Sequence, residues 1–268
     1  MSRTGAELLV ETLAAAGTRY MFSVSGNQIL SIFDATIGSD IEIVHTRHEA
    51  AAVHMADGWG RITEAPGVAL VTAGPGHCNA LSALYTARMA ESPLLLLSGH
   101  SPLSQLGQGA FQEIDQVAMA APLAKASWLA RDSASLGAEI AAALALSREG
   151  RPGPVHISLP CDVLEAPVKT EAPAAPAPAS CPVPGTAVLE EILDRLGRAR
   201  RPLILCGPAM ARARRWSGAR RLSQATGIPL LPMESPRGTD DPWLHAAGDC
   251  LGSADLVLLA GKLSLIHI

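Results

Sequence analysis

Apolar positions along the chain alternate between two spacings. Residues 8–13 follow the helical period behind Thr4-Gly5-Ala6-Glu7, a capping box, and predict a helix that stops near Gly17. Residues 19–24 read as a short β-rich run, 27–35 as a helix, and 41–44 as a strand. The alanine-rich stretch 48–61 reads as a helix in which Ala50, Ala51 and Ala52 allow close packing. Buried strands are predicted at 68–72, 94–98 and 154–159, a turn at Gly74-Pro75-Gly76, and a helix at 79–88. Asp132 is expected to cap a helix running to Ser147. The strands are continuous apolar runs rather than alternating ones. That pattern, repeated between helices, predicts a doubly wound α/β domain with a parallel sheet covered on both faces, spanning residues 1–165.

Residues 167–184 break the pattern: six of the chain's 20 prolines fall there. A segment of that composition reads as an extended spacer, so 166–185 is expected to be a linker. A second α/β pattern follows over 186–268, with helices at 186–198 and 209–225 and strands at 203–206, 229–232 and 255–260. This second region reads as an incomplete domain, which suggests truncation, and residues 263–268 as non-native sequence.

Composition narrows the class. Hydrophobic residues make up 48% of the 268 and charged residues 17%, which excludes disorder. A net charge of −4 gives no footing for nucleic acid or a membrane surface. Aromatics are only 3%, so the core must be aliphatic. The five cysteines are scattered without a C-x-x-C pair, against a disulfide framework or structural zinc. The N-terminus is amphipathic rather than a signal peptide, and no uncharged apolar run is long enough to span a membrane, so the expected location is the cytoplasm.

Candidate chemistry gathers at a few points. Glu49 follows a predicted strand and lies in the first turn of a helix. Helix-start electrostatics explains an acid there, and so does a desolvated carboxyl able to hold a proton near neutrality; spacing does not decide between them. His45, His48 and His54 lack the H-E-x-x-H spacing that puts two ligands on one helix face, so no metal site is assigned. Gly74-Pro75-Gly76 follows a strand and enters a helix, which fits either a tight turn or a ligand-binding one. The polar, glycine-rich run from Gly107 to Glu113 reads as a loop. The dinucleotide fingerprint, the phosphate-binding P-loop and the G-x-S-x-G elbow are absent from the sequence.

Taken in order, several segments resemble the acetolactate synthase/pyruvate oxidase group of thiamine-diphosphate-dependent enzymes: YMFSVSGNQIL, RHEAAAVHMADGWGR, VTAGPGHCNAL, GAFQEIDQV and GPVHISLPCDV. The likeness is dense over residues 4–165 and looser over 186–262, which is similar to the start of that group's central domain. It implies a pyrimidine-binding domain in which Glu49 is the catalytic carboxylate that contacts N1′ of the cofactor's aminopyrimidine. It implies further cofactor contacts from Ser25, Gly26, Thr72, Pro75, Asn79 and Gln112. Ser25 stands where the group usually has proline, and the His77-Cys78 pair is a further departure. The implied activity is that of a 2-keto acid decarboxylase or carboligase, a transferase or lyase of acetolactate-synthase type acting on substrates such as pyruvate, in branched-chain amino acid biosynthesis. The resemblance also implies a homodimer or homotetramer, with Mg²⁺ and the diphosphate held by a C-terminal domain whose GDG motif this sequence lacks. The chain alone is therefore expected to be inactive. FAD is admitted by the resemblance, although the group's flavin-contacting stretch lies largely past residue 268. The competing reading is a non-catalytic binding or regulatory module that keeps the fold without the diphosphate domain.

Overall fold

The computed structural model describes residues 3–173, 183–233, 242–244 and 246–261. Its contacts divide the chain into two units, residues 1–179 and 180–268.

The first unit holds β1 (Arg3–Thr4), α1 (Gly5–Ala15), β2 (Tyr20–Ser23), α2 (Leu30–Thr36), β3 (Glu42–His45) and α3 (Glu49–Thr63). It continues through β4 (Gly67–Val71), α4 (Pro75–Met89), β5 (Leu94–His100), α5 (Gln116–Ala120), β6 (Ala126–Leu129) and α6 (Leu136–Arg148). It closes with β7 (Pro154–Pro160), α7 (Cys161–Glu165) and β8 (Pro167–Val168). Six strands form one parallel sheet in the order β3-β2-β4-β5-β7-β6. Phe22 of β2 pairs with Val44 on one side and Ala69 on the other, and Leu97 of β5 pairs with Ile157 of β7.

Two cores explain the continuous apolar strands. Val68 and Leu70 of β4 face a layer containing Leu9 and Leu13 of α1 and Ile140 of α6; Ala69 and Val71 face Val53 of α3 and Leu84 of α4. Leu94, Leu95, Leu96 and Leu97 are fully buried in alternation between these faces. Each contributes about 1.5–3 kcal/mol of burial free energy. The face covered by α3 and α4 is built from small residues, which bring helix and strand backbones close. A Cβ on Gly60 would lie 2.5 Å from the Pro93 carbonyl oxygen, and one on Gly67 would strike the carbonyl of Ala56. The parallel doubly wound sheet is thus as the sequence predicts.

Thr4 caps α1 through the expected box with Glu7. Several details differ from expectation. Pro75 occupies the first position of α4, so Gly74-Pro75-Gly76 opens the helix rather than preceding it as a separate turn. Proline suits that position because the missing N–H has no intrahelical partner there anyway. The N-cap of α6 is Ser135, not Asp132, whose carboxylate instead accepts the Ser135 N–H at 3.1 Å in the turn before the helix. Helix α5 and strand β6 carry no strong period and escaped the sequence pattern. The proline-rich stretch begins as structure: Pro167 and Val168 pair antiparallel with Thr4 and Arg3, and Arg3 donates to the Thr170 carbonyl at 2.8 Å.

The second unit contains α8 (Thr186–Arg198), β9 (Pro202–Cys206), α9 (Ala213–Thr226), β10 (Leu230–Pro232), α10 (Ala247–Ser253) and β11 (Leu256–Ala260). Its strands are parallel in the order β10-β9-β11. Helix α9 starts four residues later than the pattern suggested, and α10 is additional. Residues 263–268 lie outside the described residues. Among the described residues, no helix is long and apolar enough to cross a membrane.

Candidate active site

The chain leaves β2 for β3 on one side and returns to β4 on the other, so the sheet order reverses between β2 and β4. In open α/β sheets, loops diverge at such a point on the carboxyl edge and leave a crevice for a ligand. The segment after β2 carries Ser25 and Gly26, and the segment after β4 carries Thr72 and Gly74. The start of α3 carries Glu49. Four of the seven residues singled out in the sequence, namely Gly26, Glu49, Thr72 and Asn79, are joined here by direct contacts or through Gly76, while Gln112 packs on Gly74 at the start of α4.

Glu49 is the first residue of α3, after an N-cap at His48 whose Nδ1 accepts the Ala50 N–H at 3.1 Å. The Asn79 side-chain amide, on the second turn of α4, donates to Glu49 Oε2 at 2.9 Å. Glu49 Oε1 accepts no hydrogen bond among the described residues. It faces the backbone of Gly76, where an added Cβ would lie 3.4 Å from it. The carboxylate is half-buried and Asn79 is exposed, so the Ala- and Val-rich surroundings leave it accessible within this single chain rather than sealed.

Thr72 is the hub of the floor. A Cβ on Gly26 would overlap its side chain, and one on Gly76 would come within 2.7 Å of its Cγ2. Its hydroxyl donates to Gln28 Oε1 at 2.6 Å. Gln28 is buried, and its Cβ would lie 2.8 Å from a Cβ on Gly99. Gln112, at φ 61°, packs its backbone on Gly74, where an added Cβ would meet Gln112 Cβ at 2.8 Å. Pro75 and Ser25 are exposed, at the start of α4 and on the loop after β2, and neither shares a hydrogen bond with the others.

Two buried glutamines that sequence reasoning missed support this arrangement. Besides Gln28, Gln116 accepts the Gly74 N–H at 3.0 Å and donates to the Gly99 carbonyl at 3.1 Å and to Ser158 Oγ at 2.9 Å. One amide thereby ties together the ends of three strands. An isolated buried glutamine has no periodic signature in a sequence, so only the fold exposes it.

Beneath α4 runs a buried polar chain. His77 Nδ1 lies 2.9 Å from Ser98 Oγ, His156 Nε2 lies 3.2 Å from the same hydroxyl, and His156 Nδ1 lies 2.8 Å from Ser127 Oγ. The two rings are 4.7 Å apart. Burial pushes His77 down to about 4, helped by nearby His100 and opposed by the Gln116 backbone, which does not complete a hydrogen bond to Nε2. Burial likewise holds His156 well below its ordinary value, with His77 and His100 adding to the effect. Both imidazoles are neutral at pH 7.

The site therefore offers one oriented carboxylate with a free oxygen, two helix N-termini, and glycine backbones cleared of side chains. A carboxylate held in this way can share a proton with a hydrogen-bonding group placed against its free oxygen. The site does not fit a metal: among the described residues, no three His, Cys, Asp or Glu side chains cluster.

Residues 3–119 match the family model described as thiamine pyrophosphate enzyme, N-terminal TPP binding domain. The chain is 44% identical over 163 residues to acetolactate synthase isozyme 3 large subunit of Escherichia coli, covering 60% of this chain and 28% of that one. It is 32% identical over 267 residues to an acetolactate synthase large subunit of Mycobacterium tuberculosis, covering 95% and 48%. It is 36% identical over 270 residues to a probable 2-ketoarginine decarboxylase of Pseudomonas aeruginosa, covering 96% and 48%. The chain thus spans about half or less of the length of these relatives.

Proposed function

The chain belongs to the thiamine-diphosphate-dependent enzymes of the acetolactate synthase group, and on that premise we propose that it supplies the pyrimidine-binding half of the active site of a 2-keto acid decarboxylase or carboligase. The observation that carries this reading is the Asn79–Glu49 hydrogen bond at the switch point of the sheet, which leaves Oε1 of Glu49 open.

In this reading Glu49 holds or releases a proton at Oε1, against a ring nitrogen of the aminopyrimidine. Asn79 fixes the rotation of the carboxylate, so the open oxygen has one direction. Thr72, pinned by Gln28, forms the floor with Gly26 and Gly76. Gln112 closes the side above Gly74, and Ser25 and Pro75 line the rim. When bound, thiamine diphosphate supplies the carbon nucleophile for the keto carbonyl and the electron sink for decarboxylation. The protein's part is orientation, a proton held in place, and exclusion of water.

Mg²⁺, a C-terminal diphosphate-binding domain and assembly into a homodimer or homotetramer belong to the same proposal, on the resemblance to the group. A 2-keto acid such as pyruvate is the proposed substrate, and FAD belongs to the proposal as an accessory. The similarity to a relative named as a ketoarginine decarboxylase supports leaving the substrate at the level of a 2-keto acid. The competing reading is a non-catalytic module of the same fold. The two separate in one assay. The full-length gene product, loaded with thiamine diphosphate and Mg²⁺, is expected to release CO₂ from pyruvate or a longer 2-keto acid. Cofactor binding without CO₂ release from any of a panel of 2-keto acids would refute the enzyme and favour the module.

A further inference from the structure

The segment 106–114 leaves the carboxyl end of β5 and crosses to α5. It includes three left-handed residues, Gly107 at φ 79°, Gly109 at φ 72° and Gln112 at φ 61°. Such a segment has no ladder of its own to hold it, and a left-handed non-glycine residue persists only when its surroundings impose it. Here one carboxylate gathers the turn before Gln112. Glu113 Oε1 accepts the Gly107 N–H at 2.5 Å, and Oε2 accepts the Ala110 N–H at 3.0 Å. Backbone amides turned by left-handed residues toward one point form an anion-binding nest, and in this loop the anion is internal. The Glu113 N–H donates in turn to the Ala110 carbonyl at 3.0 Å, and Ser101 Oγ anchors the Phe111 carbonyl at 3.1 Å. The loop delivers the Gln112 backbone onto Gly74, at the start of α4.

We infer that Glu113 is a positioning residue: its carboxylate presets the loop so that Gln112 stands against the start of α4 before any ligand arrives. The inference rests on the proposed function, in which Gln112 is a cofactor contact. Glu113 itself bonds only to its own loop among the described residues, so it acts through Gln112 and not on the ligand. The Gly107 and Ala110 amides also hold its carboxyl below the usual range.

The test uses the full-length gene product with thiamine diphosphate and Mg²⁺ as the probe, in Glu113→Gln, Gln112→Ala and the double variant. Glu113→Gln keeps the shape but sets an NH₂ group against an amide donor. Losing one charge-assisted bond should speed amide exchange at Gly107 and Ala110 about tenfold and raise the cofactor's dissociation constant by about five- to tenfold. The melting temperature should not move. The double variant should bind no more weakly than Gln112→Ala alone, because coupled residues are not additive. Unchanged exchange at Gly107 and Ala110 would overturn the brace, and additive losses in the double variant would overturn its action through Gln112. If the unaltered protein bound no thiamine diphosphate, the functional reading would fall, and the exchange comparison would still decide the brace.

Discussion

Gly26→Ala isolates the steric requirement at the floor of the site. Gly26 has φ −169°, an extended conformation any residue adopts, so backbone strain is not the issue. The obstacle is Thr72: an added Cβ would lie 2.5 Å from its Oγ1 and 2.8 Å from its Cγ2. Thr72 cannot swing away freely, because it is β-branched and its hydroxyl is held by Gln28 at 2.6 Å. Forcing a methyl group into a packed site costs about 1–3 kcal/mol, and breaking the Thr72–Gln28 bond adds about 0.5–1.5 kcal/mol. The expected loss is therefore about 1.5–4.5 kcal/mol. Native-state amide exchange at Leu70 and Leu96 in urea reports the first unit alone. The control is Gly58→Ala on α3, where an added Cβ meets nothing within 4 Å. That change should stabilise by about 0.5–1 kcal/mol through helix propensity. A loss below about 0.5 kcal/mol for Gly26→Ala would refute the packing described for Gly26 and Thr72.

Acid should destabilise the first unit through its buried histidines. His77 titrates near 4 when folded against 6.5 when unfolded, so the unfolded chain binds more protons below pH 6.5 and stability falls as pH drops. His77 alone accounts for about 3 kcal/mol between pH 6.5 and 4, and His156 adds a loss of the same sign. Urea midpoints at pH 7 and 5 should separate clearly in the unaltered chain and by less in His77→Gln, where only the His156 contribution remains; an equal separation in both would contradict this. Asn79→Ala should change stability by less than about 0.5 kcal/mol, since Asn79 is exposed, yet slow deprotonation of bound cofactor about tenfold by freeing the Glu49 carboxylate to rotate. Deuterium exchange at the cofactor, beside a thermal melt, checks both halves.

The layers of the fold were legible because each strand is a continuous apolar run and each helix a periodic one. Leu94–Leu97 reads as a buried strand at sight, and Thr4 with Glu7 announces α1. The helix boundary at Pro75 was less legible, because the same Gly-Pro-Gly triplet serves as a turn or as a helix start. Strand β8 was hidden in a proline-rich stretch whose composition resembles a spacer, while its pairing with Arg3 and Thr4 is a long-range event. The site divides similarly. Glu49 stood out as a helix-start acid and Asn79 through resemblance. Their hydrogen bond spans 30 residues and needed the fold. Gln28 and Gln116 went unseen because a buried amide among apolar residues is marked only by the partners it finds.

The central claim is that Glu49 Oε1 handles the proton that activates the cofactor. Its most direct test is hydrogen–deuterium exchange at C2 of thiamine diphosphate bound to the full-length gene product, comparing the unaltered protein with Glu49→Gln. Glutamine keeps an acceptor for Asn79 but cannot exchange a proton at Oε1. The account predicts near-normal folding and cofactor binding, with C2 exchange slowed by about two to four orders of magnitude, the usual range for a general acid–base group. Exchange at the unaltered rate in Glu49→Gln would contradict it.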